Sequence, residues 1–304
     1  MYEAQVALLL DVIEVAMRDD RVALKGGTAI NLCLEEMPRF SVDIDLCYLP
    51  IESREKSLRT IDEIIQKMTA AIEKKSKIIA QINYTDERIA KQVFVKKERA
   101  SIKIEINHVL RGHIYETQTL ALCDTAQEKF QTYVEVQALS TEEIYAGKFC
   151  AALDRQHPRD LFDVMNFFER HTFSARLKKA FLIYLISGNR PISEMIHPNV
   201  LDQREAYENE FRGMTNKPVT YEELDKARSN LINLIDKTLT QEDKEFLLSI
   251  KEGKPNWSYI EIENIDKFPA IQWKLKNIKN MSAQKRSQAI ENLKRKLRLE
   301  NIIK

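Results

Sequence analysis

Residues 39–46 read Arg-Phe-Ser-Val-Asp-Ile-Asp-Leu, and the two aspartates in this stretch decide how the chain is interpreted. In a β-strand, residues i and i+2 lie on the same face, so Asp43 and Asp45 share one face while their apolar neighbours point into the core. Two like charges this close repel each other, and a divalent cation bound between them would remove the repulsion. The sequence therefore predicts a strand that presents a pair of metal-binding carboxylates.

A glycine turn precedes this strand. Residues 23–30 read Ala-Leu-Lys-Gly-Gly-Thr-Ala-Ile, which indicates a short apolar strand, a turn and the start of a helix. Taken alone, Gly26 and Gly27 are explained equally well by the need for a tight turn. Backbone N–H groups at such a helix start can also bind phosphate. The aspartate pair that follows favours the second interpretation, because a phosphate-binding turn beside paired carboxylates is the core of a nucleotidyl-transfer site.

A third carboxylate lies in residues 102–107, Ile-Lys-Ile-Glu-Ile-Asn, where strict alternation predicts a strand with its isoleucines in the core and Lys103, Glu105 and Asn107 on the opposite face. If this strand lies next to the strand of the aspartates, Glu105 completes a cluster of three carboxylates. Two metal ions roughly 3.5–4 Å apart could then clamp the attacking and leaving oxygens of an in-line displacement. The alternative is that Glu105 belongs to the solvent face of an edge strand.

A cluster of charged residues spans residues 145–163. Lys148, Arg155 and Arg159 could neutralise phosphates. Asp163 lies among apolar residues, which indicates a buried acid that needs a partner such as Lys148 or Arg159. The alternative for this cluster is a set of salt bridges between helices that holds the fold together.

The order of helices and strands predicts an α+β (α/β-type) domain with a mixed β-sheet over residues 1–172, followed by a helical-bundle domain over residues 173–304. Apolar periodicity and strand patterns, together with the helix-cap sequences that begin at Ser140 and Thr220, support this division. The predicted helices cover residues 3–18, 28–36, 53–76 and 140–154, with another starting at Pro158, and the predicted strands cover 22–25, 41–48, 78–84, 89–97 and 100–108.

Composition limits the partners. The formal net charge of the 304-residue chain is +1, which argues against steering of nucleic acid by the whole surface but leaves room for local patches. Residues 274–304 contain ten Lys or Arg against Glu291 and Glu300, a net charge of +8, which fits either a phosphate-contacting surface or a solvated basic helix. The four cysteines form no C-x-x-C pair, and no apolar run approaches the roughly 18 residues of a membrane span. We expect a cytoplasmic protein with reduced thiols.

Three groups of residues follow one another along the chain: GGTA with RFSVDIDL, then IKIEIN, and then AGKFCAALDRQHPRDLFDV. Together they resemble the nucleotidyltransferase AbiEii/AbiGii toxin family. This family, which includes MenT-like toxins, is a branch of the polymerase-β-like nucleotidyltransferase superfamily. The resemblance covers about residues 22–170, and residues 269–277 are similar to the family's tail. It implies a mixed β-sheet core, a helical C-terminal bundle and Mg²⁺-dependent transfer of a nucleotide from an NTP.

The resemblance also implies roles for individual residues. Asp43 and Asp45 match the metal-binding pair, and Lys148 matches a catalytic lysine that contacts the triphosphate. Asp163 matches the final catalytic acid, whereas Glu105 matches a third metal-binding carboxylate more loosely. The nucleotide-binding candidates are Gly26, Gly27, Thr28, Ser41, Lys148 and Arg159. In this family, the residue that Ser41 matches can be phosphorylated by a cognate antitoxin, which inactivates the toxin.

The function that we predict is a Mg²⁺-dependent nucleotidyltransferase with a two-metal site, the toxin of a bacterial toxin–antitoxin or phage-defence pair. It would transfer a nucleotide from an NTP to an acceptor such as the 3′ end of a tRNA, release pyrophosphate and have a cognate antitoxin protein as its partner. One alternative is a nucleotidyltransferase that acts on a small molecule or on a protein. Others are a nucleotide-binding protein whose catalysis has lapsed, and an interaction module whose acids are only surface charge.

Overall fold

A computed structural model describes residues 2–299. Glu300 and Lys304 of the basic tail lie outside the described residues. The chain forms two compact units, Met1–Ile144 with Gly213–Pro218, and Tyr145–Arg212 with Val219–Lys304. The units are divided at Ile144, whereas the boundary between the two folding domains predicted at residue 172 stays a prediction.

The first unit is built on a seven-stranded mixed sheet with the strand order β3-β4-β5-β2-β1-β7-β6. Strand β1 pairs antiparallel with β2 and parallel with β7, and β2 pairs parallel with β5. The predicted mixed sheet is therefore confirmed. The strands are β1 Val22–Lys25, β2 Asp43–Tyr48, β3 Ile79–Tyr84, β4 Ala90–Lys97, β5 Ala100–Ile106, β6 Gln118–Ala121 and β7 Glu135–Ala138.

Helices accompany this sheet. In α3, apolar residues at helical spacing are buried, including Ile61, Ile64 and Met68, and the Ser53 side chain caps the helix by accepting from the Lys56 N–H. The glycine turn opens α2, which is short because it passes directly into a π-helical turn at Ile30–Leu34. The helices are α1 Tyr2–Ala16, α2 Gly26–Ala29, α3 Arg54–Glu73, α4 Asp124–Phe130 and the first residues of α5 Thr141–Asp154.

Two strands of this sheet are absent from the sequence prediction. Strands β6 and β7 contain four residues each, and β6 has no buried residue to mark it. Strand β7 joins the sheet through a parallel pairing in which Ala138 lies opposite Leu24, more than 100 residues earlier in the chain. Pairing over such a separation is decided by tertiary contacts, so a local pattern does not reveal it.

A late segment returns to the first unit and holds the stretch that precedes β2. The Phe40 N–H donates to the carbonyl of Met214 at 2.8 Å, and Asn216 Nδ2 donates to the carbonyl of Met37 at 2.6 Å. Arg39 forms an isolated antiparallel bridge with Thr215. Residues 37–40 therefore depend on contacts made about 175 residues later in the chain.

The second unit is helical, as the sequence predicts from residue 174 onward. Its helices are the rest of α5, α6 Pro158–Arg170, α7 Ala175–Ser187, α8 Ile192–Ile196, α9 Arg204–Ala206, α10 Tyr221–Thr238, α11 Gln241–Glu252, α12 Pro269–Lys279 and α13 Ala283–Leu297. Capping boxes open α10 at Thr220 and α11 at Thr240. Among the residues that the structure describes, no helix is both long and apolar enough to cross a membrane.

We expect Thr220→Ala to lower the free energy of unfolding by about 1 kcal/mol, because the hydroxyl that accepts from the Glu223 N–H at the start of α10 is lost. Thr220→Ser keeps the hydroxyl and is the matched control. Urea unfolding followed by circular dichroism measures both variants. Equal destabilisation by Ala and Ser would show that the cap does not contribute.

Candidate active site

The glycine turn and the aspartate strand are in direct contact. Gly26 has a φ of +74°, a left-handed conformation that glycine adopts without strain. A Cβ atom added to Gly26 would lie 2.7 Å from Oδ2 of Asp45. The antiparallel pairing of β1 with β2 causes this approach, because it places Lys25, the last residue of β1, opposite Asp45. The backbone of the turn therefore lies against a carboxylate, as a site for a triphosphate and its metal requires.

The hydroxyl of Thr28 fixes the start of β2 to the helix that follows the turn. Thr28 Oγ1 donates to the carbonyl of Asp43, and the Thr28 and Ser41 hydroxyl oxygens lie 3.0 Å apart. Both side chains are buried. Thr28 and Ser41 thus hold the backbone around Asp43, and the structure brings together these two predicted binding residues and the aspartate.

Arg39 lies beside the second glycine of the turn. A Cβ atom added to Gly27 would lie 2.7 Å from Nη2 of Arg39 and 3.1 Å from Oγ of Ser41. Arg39 is only 2% exposed, and its Nη1 donates to the carbonyl of Phe40 at 2.8 Å. The sequence analysis gave Arg39 no role. In the sequence, only its position two residues before Ser41 indicated that Arg39 could belong to the site. The close approach of its side chain to Gly27 is visible only in the fold.

Glu105 lies on the strand next to the aspartates. Strand β5 pairs with β2 in parallel, with Glu105 opposite Asp45. Lys103 lies opposite Asp43 on the same face, and its Nζ is 3.1 Å from Oε2 of Glu105. Burial disfavours the charged form of Lys103, but the neighbouring carboxylates outweigh this and raise its pKa. The sequence analysis placed Lys103 on this face but missed its role as a cation among three acids.

The aspartate pair suits magnesium in its chemistry. Within residues 2–299, no three His, Cys, Asp or Glu side chains are gathered closely enough to hold a metal ion. Magnesium is usually held by one or two carboxylates together with substrate phosphates and water, so a complete protein cage is not required. Asp43 and Asp45 supply such hard oxygen donors on one face of β2. The assignment of Glu105 as a metal ligand stays a prediction, since its carboxylate pairs with Lys103.

A second cluster, within the second unit, is centred on Lys148. Its Nζ lies 2.7 Å from Oδ1 of Asp160 and 2.9 Å from Oδ2 of Asp163. The lysine and both acids are buried, with Lys148 on α5 and the two aspartates on α6. The sequence predicts that a buried Asp163 needs a partner such as Lys148, and this contact is confirmed.

Asp160 is the member of this cluster whose role the sequence analysis missed. Burial alone would raise its pKa, but the charge of Lys148 and the hydrogen bonds and charge of Arg155 hold the pKa well below its usual range. Arg155 Nε lies 2.5 Å from Oδ2 of Asp160. Asp160 thus bridges an exposed arginine and a buried lysine. Its i, i+3 spacing to Asp163 was visible in the sequence, but a partner on another helix was not.

A sequence model of the nucleotidyl transferase AbiEii toxins, of type IV toxin–antitoxin systems, matches residues 8–277. The chain belongs to this family. It is therefore a nucleotidyltransferase toxin, and the AbiEii family implies an NTP substrate and an antitoxin partner. The predicted family resemblance is confirmed.

The AbiEii fold is also found in a solved structure. The structure of MenT4, the nucleotidyltransferase toxin Rv2826c from Mycobacterium tuberculosis H37Rv, is similar with a TM-score of 0.61 and 16% identity, covering 91% of this chain and 92% of that one. At this identity the likeness shows the fold alone. No curated protein matches the chain.

We expect Gly26→Ala to lower nucleotidyl transfer strongly, because the added Cβ would displace the Asp45 carboxylate from its position beside the turn. Gly213→Ala is the matched control. Gly213 also has a positive φ, of +82°, but no atom lies within 4 Å of its added Cβ. Both variants carry backbone strain on the order of 1 kcal/mol, so only the contact with Asp45 distinguishes them. Equal activity of the two variants would contradict this contact.

We expect Asp160→Asn to destabilise the protein by about 3 kcal/mol, because a buried charge network is broken, whereas Arg155→Ala at an exposed position costs less than about 1 kcal/mol. Asp160 releases its proton more readily when folded. Its contribution is therefore complete above the unfolded pKa of about 3.9 and is lost as the pH falls below it. Urea unfolding between neutral and acidic pH should show a flatter pH dependence for Asp160→Asn than for wild type. Parallel curves would contradict the assignment.

Proposed function

We propose that this AbiEii toxin transfers a nucleotide from an NTP to the 3′ end of an RNA such as tRNA, in a Mg²⁺-dependent reaction. The observation that carries the proposal is the contact between the Asp45 carboxylate and the Gly26 turn, with Asp43 on the same face. A carboxylate alone is common on a strand. A carboxylate held against a glycine turn, at the start of a helix, joins metal-binding and phosphate-binding groups in one place.

Different residues of the first unit would bind different parts of the substrate. Backbone N–H groups of Gly26, Gly27 and Thr28 would bind the phosphates of the NTP. Asp43 and Asp45 would hold magnesium, which when bound supplies neutralisation of the phosphate charge. Arg39, buried beside Gly27, adds a positive charge that water screens little.

The reaction is an in-line displacement on the α-phosphate. The acceptor hydroxyl loses its proton and forms a bond to the α-phosphorus, while the bond from that phosphorus to the β-phosphate oxygen breaks and pyrophosphate leaves. Such reactions are served mainly by positioning and charge neutralisation. Thr28 and Ser41 contribute positioning, because the Thr28 hydroxyl donates to the carbonyl of Asp43 and lies 3.0 Å from the Ser41 hydroxyl.

For the second unit, we propose Lys148 as the lysine that contacts the triphosphate, Asp163 as the final catalytic acid and Arg159 as a further phosphate-binding residue. The two carboxylates around Lys148 pair with its ammonium group and fix the direction of its side chain. The RNA acceptor is supported by the basic side chains of α12 and α13, which include Lys276, Lys279, Lys285 and Arg286.

Labelled NTPs incubated with the protein, Mg²⁺ and total RNA test the proposal. We expect label on RNA, and a loss of about a thousand-fold in Asp43→Ala, because several kcal/mol of transition-state stabilisation are removed. Asp86→Ala, which removes an exposed acid in a turn of the same unit, is the control and should keep full activity. Chelation of magnesium should abolish labelling.

Other outcomes of this experiment decide between the alternatives. Label on protein extract instead of RNA would replace the RNA acceptor by a protein. Tight NTP binding without turnover under any divalent metal would show that catalysis has lapsed. Undiminished labelling by Asp43→Ala would overturn the proposed site.

A further inference from the structure

A small cavity lies in the second unit, lined by residues of α7, α11 and α12 and of the segment that follows α7. Its volume is about 100 Å³, and Lys251, Lys274, Trp273 and Asn277 are among the residues that line it. By the same measure, one water needs roughly 10–15 Å³. The cavity therefore has room for a group larger than one water, such as a phosphate.

Lys251 is the unusual member of this lining. Its side chain is only 7% exposed, and within the described residues its ammonium group has neither a hydrogen-bond acceptor nor an ion-pair partner. Burial lowers its pKa, and the charge of Glu194 opposes this only in part. An ammonium on a largely buried side chain, without a protein partner, loses part of its hydration and can be solvated only through the cavity. An anion in the cavity would supply the missing partner.

Lys274 brings a second positive charge to the same cavity. Its Nζ donates to the carbonyls of Gly188, at 2.5 Å, and Arg190, at 2.9 Å. Burial and the nearby charge of Lys251 lower the pKa of Lys274 to about 8. Each of the two lysines disfavours the charged form of the other, and an anion bound between them would stabilise both ammonium groups. An ammonium has three donors, so one remains beyond the two carbonyls.

A structural role explains Lys274 but not Lys251. The carbonyls that Lys274 binds follow the C-terminus of α7, where a cation is favourable, so this lysine also closes that helix. Lys251 lies in the last turn of α11, which is favourable for a cation as well. A helix terminus at the surface, however, does not require the ammonium to be buried in a cavity beside a second lysine. The pair is explained better by a ligand.

The surroundings of the cavity indicate what carries the anion. Trp273, at its edge, is 50% exposed, although large aromatic rings are usually covered. Lys276 Nζ lies 5.7 Å from the centre of the Trp273 ring. Three further cations continue along α12 and into α13, and within residues 2–299 none of them pairs with a carboxylate: Lys279, Lys285 and Arg286. An aromatic platform beside a phosphate-sized cavity and a line of cations is typical of single-stranded nucleic-acid binding.

We propose that the cavity between Lys251 and Lys274 binds a backbone phosphate of a single-stranded RNA whose adjacent base stacks on Trp273. The inference deepens the proposed function, on which it rests for the identity of the acceptor, by giving that acceptor a site remote in sequence from the catalytic motifs. Phosphate contacts position an RNA without reading its sequence, so this site would bind many RNAs and leave selection to other contacts.

The test is binding of a short fluorescein-labelled single-stranded RNA to the full chain, by fluorescence anisotropy at several salt concentrations and without NTP. We expect Lys251→Met to weaken binding and to reduce the slope of log K against log salt by about 0.7, the value for one phosphate contact to a single strand. Trp273→Ala should weaken binding about ten-fold and leave the slope unchanged. Lys226→Met removes an exposed lysine of α10 and is the matched control for charge.

The outcomes separate the possibilities. Thermal unfolding should show Lys251→Met to be at least as stable as wild type, because a charge without a protein partner is removed from a largely buried side chain. Trp273→Ala, at an exposed position, provides a second variant that folds. Equal affinity and slope for Lys251→Met and wild type would overturn the inference. Binding of inorganic phosphate that is lost in Lys251→Met, together with RNA affinity and slope that are unchanged in that variant, would assign the cavity to a free phosphate compound and would overturn it too. Because binding is measured without NTP, these results are independent of whether nucleotide transfer occurs.

Discussion

The site depends on one close approach, between the backbone of Gly26 and the carboxylate of Asp45. The antiparallel pairing of β1 with β2 produces it, because the last residue of β1 lies opposite Asp45 and the chain then turns at once into a helix. A side chain at Gly26 would occupy the space that the carboxylate needs. The glycine is thus required by two constraints at the same time, a left-handed backbone and the absence of a Cβ. A strand register shifted by one residue would move both aspartates to the core face and remove the site.

Both charged clusters combine lysine with carboxylates, but they differ in exposure. Lys103 lies half-buried on an open sheet face, where it offsets part of the repulsion among Asp43, Asp45 and Glu105. Lys148 is enclosed with two aspartates. The first arrangement can adapt when a cation or a phosphate arrives, since one side of the sheet remains accessible. In the second, the charges are buried, and removal of Lys148 would leave the carboxylates of Asp160 and Asp163 without their shared cation.

The sequence predicted the parts of this molecule that local patterns specify. Alternation in residues 102–107 placed Glu105 and Lys103 on one face, and the structure shows Ile102, Ile104 and Ile106 buried behind them. The charge and apolar context of Asp163 predicted its contact with Lys148. The missed features arise from contacts between separate segments of the chain: strands β6 and β7, Arg39 beside Gly27, and the contact of Asp160 with Lys148 on the preceding helix. No periodicity within one segment contains that information.

The return of residues 213–218 to the first unit has a consequence for the timing of synthesis. Asn216 Nδ2 donates to the carbonyl of Met37, and the Phe40 N–H donates to the carbonyl of Met214. At about 5–20 residues per second, a ribosome needs on the order of 10 s to proceed from one segment to the other. During that interval the nascent chain already contains Asp43 and Asp45 but lacks residues 213–218, which bind the residues before them. The first unit is therefore completed only after residues 213–218 have been synthesised.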